Sequence, residues 1–222
     1  ADFSDTVMFN HGTTLGLNAL LTRNGARTAV ISTAGFRDVY LLGRTDRAAM
    51  YDIRYRKPSA LVERADTFEV IERSYFDGTV GAPIDLDDAR RVAELVRDGG
   101  YQSVAVAFLH SYANADHELR MRDVLHDVAP DVDVTLSHEL AREYREYERT
   151  STAVLDAYIK PIVRSYLEVL EAELADRGFD GRFLMSRSGG GAMTANSARE
   201  QPVNLILSGP AGGVIGAAAF SR

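Results

Sequence analysis

Apolar residues recur along the chain in two spacings, and the spacings assign the elements. From Thr13 to Arg23, Leu17, Leu20 and Leu21 share one side of a helix that Asn24-Gly25 ends. TAVIST, within Arg27 to Thr33, is a short unbroken apolar run typical of a buried strand. Gly35 to Leu42 reads as a short helix, and residues 43 to 65 are polar and irregular. FEVIERSY, Phe68 to Tyr75, alternates ahead of an Asp77-Gly78 turn signal, so 66–82 is expected to form a peripheral hairpin.

The rhythm then becomes regular. Asp85 to Arg97 reads as a helix with acids in its first turn, closed by Gly99-Gly100. Ser103 to Leu109 reads as a strand, Asp116 to Val128 as a helix, and Val132 to Leu136 as a strand. The alternating charges from Glu139 to Arg149 read as a solvated face or loop leading to Ser151, which suits a helix N-cap. Ser151 to Arg177 keeps one face apolar, through Val154, Tyr158, Ile162 and Tyr166, over about 40 Å. Pro161 is expected to kink or restart that helix. Arg182 to Ser186 and Val203 to Leu207 read as strands, and Pro210 to Phe220 begins a helix. Short apolar strands alternating with amphipathic helices imply an α/β fold with mostly parallel strands and flanking helices.

Composition narrows the possibilities. The 222 residues hold 25 Lys and Arg against 32 Asp and Glu, a formal net charge of −7. That balance leaves no basic surplus for phosphates, so nucleic acid is not expected as a partner. No apolar run reaches the roughly 20 residues that span a bilayer, and no signal-peptide pattern opens the chain, so no membrane is expected either. Cysteine is absent, which removes thiolate nucleophiles and cysteine metal sites and suits a reducing compartment. The chain opens without methionine and stops after an Ala/Gly-rich run that reads as an unfinished helix, so a segment of a longer protein is expected.

In open parallel sheets ligands bind beyond the carboxyl ends of the strands. Here those ends carry Ser32-Thr33, His110-Ser111, Ser137-His138-Glu139, Ser186-Arg187-Ser188 and Ser208-Gly209-Pro210. With parallel strands they would converge on one polar rim, although strand ends are also polar simply because loops are. Ser208 to Gly213 leads into a helix whose free N–H groups suit a phosphate or carboxylate, and Gly212 and Gly213 equally suit close helix packing. The turn lacks the Gly-Lys-Ser/Thr ending of a Walker A loop. Ser188-Gly189-Gly190-Gly191 suits either a phosphate or substrate loop or a plain turn. Among the histidines, His110 and His138 suit structural or substrate hydrogen bonds more than a divalent metal, and His117 and His126 are expected in solvent. No His-x-x-x-His or His-Glu-x-x-His pair is present, and no metal site is expected.

Five motifs then stand in order. They are His11-Gly12-Thr13-Thr14 with Asn18-Ala19-Leu20-Leu21, Gly35-Phe36-Arg37-Asp38-Val39, and Leu109-His110-Ser111-Tyr112-Ala113-Asn114. The fourth joins Ser137-His138-Glu139 to Arg145-Glu146-Tyr147-Glu148-Arg149-Thr150-Ser151-Thr152, and the fifth is Ser208-Gly209-Pro210-Ala211-Gly212-Gly213-Val214. In this order the chain resembles the A-type subunit of the ATP-dependent hydantoinase/5-oxoprolinase family, which includes the acetone carboxylase β subunit. The resemblance implies a fragment of an actin-like, sugar-kinase-like ATPase with ribonuclease-H-like layers. Residues 1–150 would be part of the N-terminal lobe with its inserted hairpin. Residues 151–222 would be the long helix and the start of the second lobe.

It also implies ATP with Mg2+, a B-type partner subunit, a small cyclic amide substrate and a cytoplasmic location. The activity implied is opening of a hydantoin or 5-oxoproline ring by ATP-driven carbonyl activation. The alternatives are ketone carboxylation, small-molecule phosphorylation, or a subunit-interface segment built on Tyr144 to Tyr158. The family's two Asp-x-Gly-Gly-Thr phosphate loops are not in this sequence, and the resemblance puts them before Ala1 and after Arg222. By the same resemblance His11, Gly12, Thr13, Thr14 and Asn18 would border the nucleotide or substrate cleft. His110, His138 and Glu139 would be polar cleft residues, and Ser208, Gly209, Gly212 and Gly213 would lie at the joint between lobes. Relatives often carry Ser-Asn-Gly-Gly where this chain has Ser188-Gly189-Gly190-Gly191. The missing asparagine removes a side-chain donor and acceptor there.

Overall fold

The computed structural model describes residue 3, residues 5–44 and residues 49–221. Part of the irregular stretch expected at 43–65, residues 45–48, therefore lies outside the described residues. In chain order the first half holds β1 (Met8–His11), α1 (Leu15–Leu21), β2 (Thr28–Thr33), α2 (Val39–Leu42), β3 (Thr67–Val70), β4 (Arg73–Ser74), β5 (Val80–Ala82) and α3 (Leu86–Asp98). The second half holds β6 (Ser103–Ala107), α4 (Asp116–Val128), β7 (Asp133–Leu136), α5 (Ser137–Leu140), α6 (Glu146–Asp176), β8 (Arg182–Ser186), β9 (Ala192–Thr194), α7 (Ala195–Glu200) and α8 (Ser208–Phe220). Residues 27–158 form one compact unit, and residues 1–26 with 159–222 form the other.

The 27–158 unit is built on a four-stranded sheet in the order β3-β2-β6-β7, parallel throughout. Every residue of β2 and β6 is buried, which is why both read as continuous apolar runs rather than alternating ones. Side chains still alternate between the two faces. Ala29, Ile31, Val104 and Val106 enter one core with Val92, Val96, Met121 and Leu125, from α3 and α4. Val30 and Ala105 point the other way and pack with Ala153, Val154 and Ala157 of α6. Helix α3 starts where it does because Asp85 caps it: the carboxylate accepts from the N–H groups of Asp87 and Asp88, both at 3.0 Å. Ala89, Val92, Ala93 and Val96 then bury one helical stripe.

In the other unit β1 runs parallel to β8, and β9 pairs antiparallel with β8. Gly181 precedes β8 at a point of close approach, because a Cβ there would stand 2.4 Å from the Thr6 carbonyl oxygen. Tyr166, Leu167 and Leu174 of α6 belong to this unit, and Leu167 is fully buried.

Several sequence expectations are corrected. Phe68 to Tyr75 is not one hairpin arm: β3 joins the parallel sheet, with Val70 fully buried, and the hairpin is the short β4–β5 pair. Val203 to Leu207 is not a strand, because Pro202 opens a 3-10 turn over Pro202–Leu205. Helix α6 runs unbroken through Pro161 and starts at Glu146, so Ser151 is interior and not a cap. In the charged run before it Glu139 and residues 142–145 are exposed as expected, but Arg149 is 1% exposed. Of the tyrosines expected to dock a partner, Tyr158 is 7% exposed and Tyr144 is 70% exposed.

Candidate functional site

The five polar segments fall in both compact units. Three of the five, those after β2, β6 and β7, share the parallel sheet. Ser186 ends β8 in the other unit, and Ser208 follows a turn rather than a strand.

At the carboxyl end of the parallel sheet two buried carboxylates are each closed by an imidazole. Glu118 lies in α4 and is fully buried. It accepts from the Phe108 N–H at 3.0 Å, Ser137 Oγ at 2.6 Å and the His138 N–H at 3.1 Å. His138 Nδ1 stands 2.6 Å from its second oxygen. Ser137 Oγ also meets Ser111 Oγ at 3.1 Å and accepts from Arg149 Nε at 3.0 Å. Arg149 goes on to donate to the Phe108 carbonyl at 2.6 Å, the Glu143 carbonyl at 3.1 Å and Glu146 Oε2. Buried charges persist when paired and hydrogen-bonded in this way.

The second pair corrects an expectation. His117 is buried, not solvated, with Nδ1 2.7 Å from Glu72. Thr33 Oγ1 donates to Glu72 and accepts from the Leu109 N–H, so it ties the ends of β2 and β6 together. His126 is exposed. Glu139 is exposed and pairs with Arg122 at 2.7 Å, turned away from its neighbour His138.

His110 sits just past β6 with φ +56°, a region non-glycine residues rarely occupy. Its Nδ1 is 3.3 Å from Tyr112 Oη and 3.9 Å from Glu146. Burial pushes the Glu146 carboxyl above the ordinary carboxylate range, against the lowering pull of Arg149 and then His110.

The 1–26 and 159–222 unit gathers the first and last motifs. His11 Nε2 lies 2.6 Å from Tyr166 Oη, and the ring stacks on Phe9. Burial holds the His11 imidazole below its ordinary value and pushes the Tyr166 phenol up. Ser208 Oγ donates to the Thr13 carbonyl at 3.1 Å and accepts from the Thr13 N–H at 3.4 Å. Beside this latch a Cβ at Gly209 would stand 3.0 Å from Cγ2 of the exposed Thr14, a tight contact. Asn18 is exposed and reaches back to Thr14 at 3.4 Å. Gly12 is exposed, with its nearest neighbours on Ser186.

Ser188 is held by Asn204: its N–H and Oγ both donate to the Asn204 carbonyl, at 2.8 and 2.7 Å. Gly190 and Gly191 follow at φ +87° and +77°, so this loop requires glycine at both positions. A Cβ at Gly189, Gly212 or Gly213 would meet nothing within 4 Å. Tight packing inside the described residues therefore does not explain the last two.

The family described as "Hydantoinase/oxoprolinase N-terminal region" matches residues 2–129. The one described as "Hydantoinase/oxoprolinase" matches residues 149–222. The chain belongs to the hydantoinase/oxoprolinase family. An uncharacterised protein of Methanocaldococcus jannaschii is 39% identical over all of this chain and 33% of its own length. The acetophenone carboxylase gamma subunit of Aromatoleum aromaticum is 32% identical over 97% of this chain and 31% of its own. Among solved structures, the crystal structure of ATP-dependent caprolactamase from Pseudomonas jessenii superposes with TM-score 0.86 at 32% identity. That match covers 94% of this chain and 30% of the other. The α/β fold is thus that of this enzyme family, the actin-like ATPase architecture that the sequence resemblance implied. The chain spans from about a sixth to a third of the length of the curated relatives it matches.

Sequence reasoning missed Glu118, Glu146, Arg149 and Tyr166 as site-shaping residues. Glu146 and Arg149 stood inside the fourth motif, but alternating charge in sequence cannot show which charges turn inward. Among the described residues, no cluster of three or more His, Asp and Glu side chains is arranged to hold a metal, and no helix is long and apolar enough to cross a membrane.

Proposed function

We propose that the whole protein is an ATP-dependent cyclic amide hydrolase, and that this chain supplies part of its scaffold and substrate-facing surface. The observation that carries this reading is the superposition on the ATP-dependent caprolactamase of Pseudomonas jessenii, at 32% identity over nearly the whole chain. ATP, with Mg2+, would supply the phosphoryl group that activates the amide carbonyl. The fit of this chain to the nucleotide is incomplete, because no Asp-x-Gly-Gly-Thr loop occurs in it.

What the chain's own residues do is narrower. The Thr13–Ser208 latch joins the first motif to the start of α8, so His11, Gly12, Thr13, Thr14 and Asn18 are held near Ser208, Gly209, Gly212 and Gly213 as one candidate cleft wall. Ser188 to Gly191 form a second candidate loop, fixed at one end by Asn204. His110 and His138 border the sheet's carboxyl end, where Glu118 orients His138. Residues 1–150 and 151–222 would belong to successive lobes of the longer protein. A B-type subunit would complete the enzyme, and the absence of cysteine suits a cytoplasmic location.

A second reading, ketone carboxylation, is favoured by the identity with the acetophenone carboxylase subunit. One experiment separates them. The full-length protein with its partner subunit is assayed for ATP hydrolysis with 5-oxoproline, hydantoin or caprolactam, and in parallel with acetone plus bicarbonate. Ring-opened product formed in step with ATP consumption is expected. Turnover only with ketone and bicarbonate would transfer the assignment to the carboxylases, and no coupled turnover with either would end both readings.

A further inference from the structure

The four-stranded parallel sheet reverses its order at β2. The chain runs from β2 to β3 on one side and then crosses to β6 on the other, so β2 and β6 lead away from each other. In open parallel sheets ligands bind in the crevice outside the carboxyl ends of such a pair. The segments that leave this sheet at those ends enclose open space. Gly43 and Arg44 follow β2 and α2, Tyr144 to Glu148 follow β7 and α5, and these residues border a cleft of about 790 Å³. A recess of about 440 Å³ shares Gly43, Arg44 and Tyr147 with the cleft and adds Tyr40, Tyr55 and Lys57. Gly43 has φ +54°, and a Cβ there would stand 3.2 Å from Tyr147 Cε2, so the tyrosine ring sits against bare backbone. Just past β6, His110 stands 3.9 Å from Glu146 of the cleft wall, and its positive φ is strain of the kind stored at ligand sites.

The charges of the wall say what the cleft suits. Both acids are matched: Glu148 pairs with Arg44 at 2.6 Å, and Glu146 pairs with the buried Arg149. Lys57 Nζ donates to the Leu41 and Leu42 carbonyls at the end of α2. Arg145 makes no ion pair among the described residues. Its guanidinium stands 5.8 Å from the Tyr144 ring centroid. The Arg44 hydrogen bond holds the Glu148 carboxyl below its ordinary range, and Arg145 adds only a lesser pull, so Arg145 is near Glu148 without being bound to it. One exposed guanidinium at the cleft is therefore left over, with Tyr144 and Tyr147 beside it. A guanidinium fork matches a carboxylate with two parallel N–H bonds, and tyrosine faces suit a flat ring. A carboxylate carries one charge, which this arginine balances. A phosphate dianion would meet two acids in the same wall.

We propose that this cleft binds a small carboxylate carried on a flat ring, with Arg145 as the anion contact and Tyr144 and Tyr147 against the ring. The assignment rests on the cyclic-amide reading above and narrows its substrate class. The cyclic amide bound here bears a carboxylate, as 5-oxoproline does, and a neutral lactam is disfavoured because it leaves Arg145 unused. Arg145→Gln is the informative change, since it removes the charge and the fork while keeping a polar side chain.

The test uses the full-length protein with its partner subunit. Binding of 5-oxoproline, 2-pyrrolidinone and inorganic phosphate is measured by ligand-observed NMR, alongside the KM for 5-oxoproline in ATP hydrolysis. Wild type is expected to bind 5-oxoproline at least about tenfold tighter than 2-pyrrolidinone, which is what one charge-assisted contact is worth. Arg145→Gln should bring the two within about twofold by weakening 5-oxoproline alone, with its KM raised about tenfold. Arg145→Lys should fall between, because an ammonium cannot make the paired contact. The side chain is exposed, so the melting temperature should not move. Equal binding of the two lactams by wild type, which needs no variant, overturns the proposal, and so does a preference that survives Arg145→Gln. Phosphate that displaces 5-oxoproline at equal concentration would mark a general anion site and overturn it as well. If 5-oxoproline drives ATP hydrolysis and its binding does not depend on Arg145, this inference alone falls. If 5-oxoproline binds through Arg145 but no cyclic amide is opened, the reaction assigned above falls and this binding site stands.

Discussion

Arg149→Ala tests whether the interior polar network holds the 27–158 unit together. The guanidinium is fully buried and donates to the Phe108 carbonyl, the Glu143 carbonyl, Ser137 Oγ and Glu146. Its removal leaves the buried Phe108 carbonyl without this donor and Glu146 without a counter-ion, while Ser137 keeps Glu118 and Ser111. Deleting one partner of a buried charge pair costs about 3–5 kcal/mol, because the other charge stays buried and unpaired. For a protein of this size that corresponds to a fall in melting temperature of about 6–20 °C.

Arg149→Lys keeps the charge but cannot span four acceptors lying in different directions, so an intermediate loss is expected. Urea unfolding followed by far-UV circular dichroism measures both variants, and a double-mutant cycle with Glu146→Ala isolates the ionic part. A loss below about 1 kcal/mol for Arg149→Ala is what an exposed ion pair gives, and it would refute the claim that this arginine organises the interior.

Two further outcomes follow from the other unit. Gly181→Ala would drive a Cβ to 2.4 Å from the Thr6 carbonyl and 2.5 Å from the Val7 carbonyl, parting β1 from β8. A loss of at least about 1–3 kcal/mol in chemical denaturation is expected, and a neutral substitution would contradict the β1–β8 register. His11 gives a pH signature: burial lowers its pKa from 6.5, so the unfolded chain takes up the proton first. Stability is complete above that value and is lost as pH falls from 6.5 toward the lower folded value. His11→Gln should flatten the stability profile across this window, and an unchanged slope would show that His11 is not its source.

What the sequence determined by itself was the alternation of elements. Helices α3 and α4, strands β2, β6 and β8, and hence the α/β class follow from periodicity and caps, which are local properties of a segment. The Asp85 cap and the all-buried β2 and β6 illustrate this, since each is decided by residues within a few positions of one another. The five ordered motifs were equally legible and gave the family.

The direction in which polar side chains turn was not legible. Glu118, Glu72, His117 and Arg149 lie on segments whose composition reads as surface, yet each is buried. Their partners lie far away in sequence: Glu72 meets His117, Glu118 meets His138, and Arg149 meets the Phe108 carbonyl. Strands β1 and β9 escaped for the same reason, because neither contains a fully buried residue and both exist only by pairing with β8. A charge can be buried only where the rest of the fold brings it a counter-charge and donors, and that meeting is a long-range event no local pattern encodes.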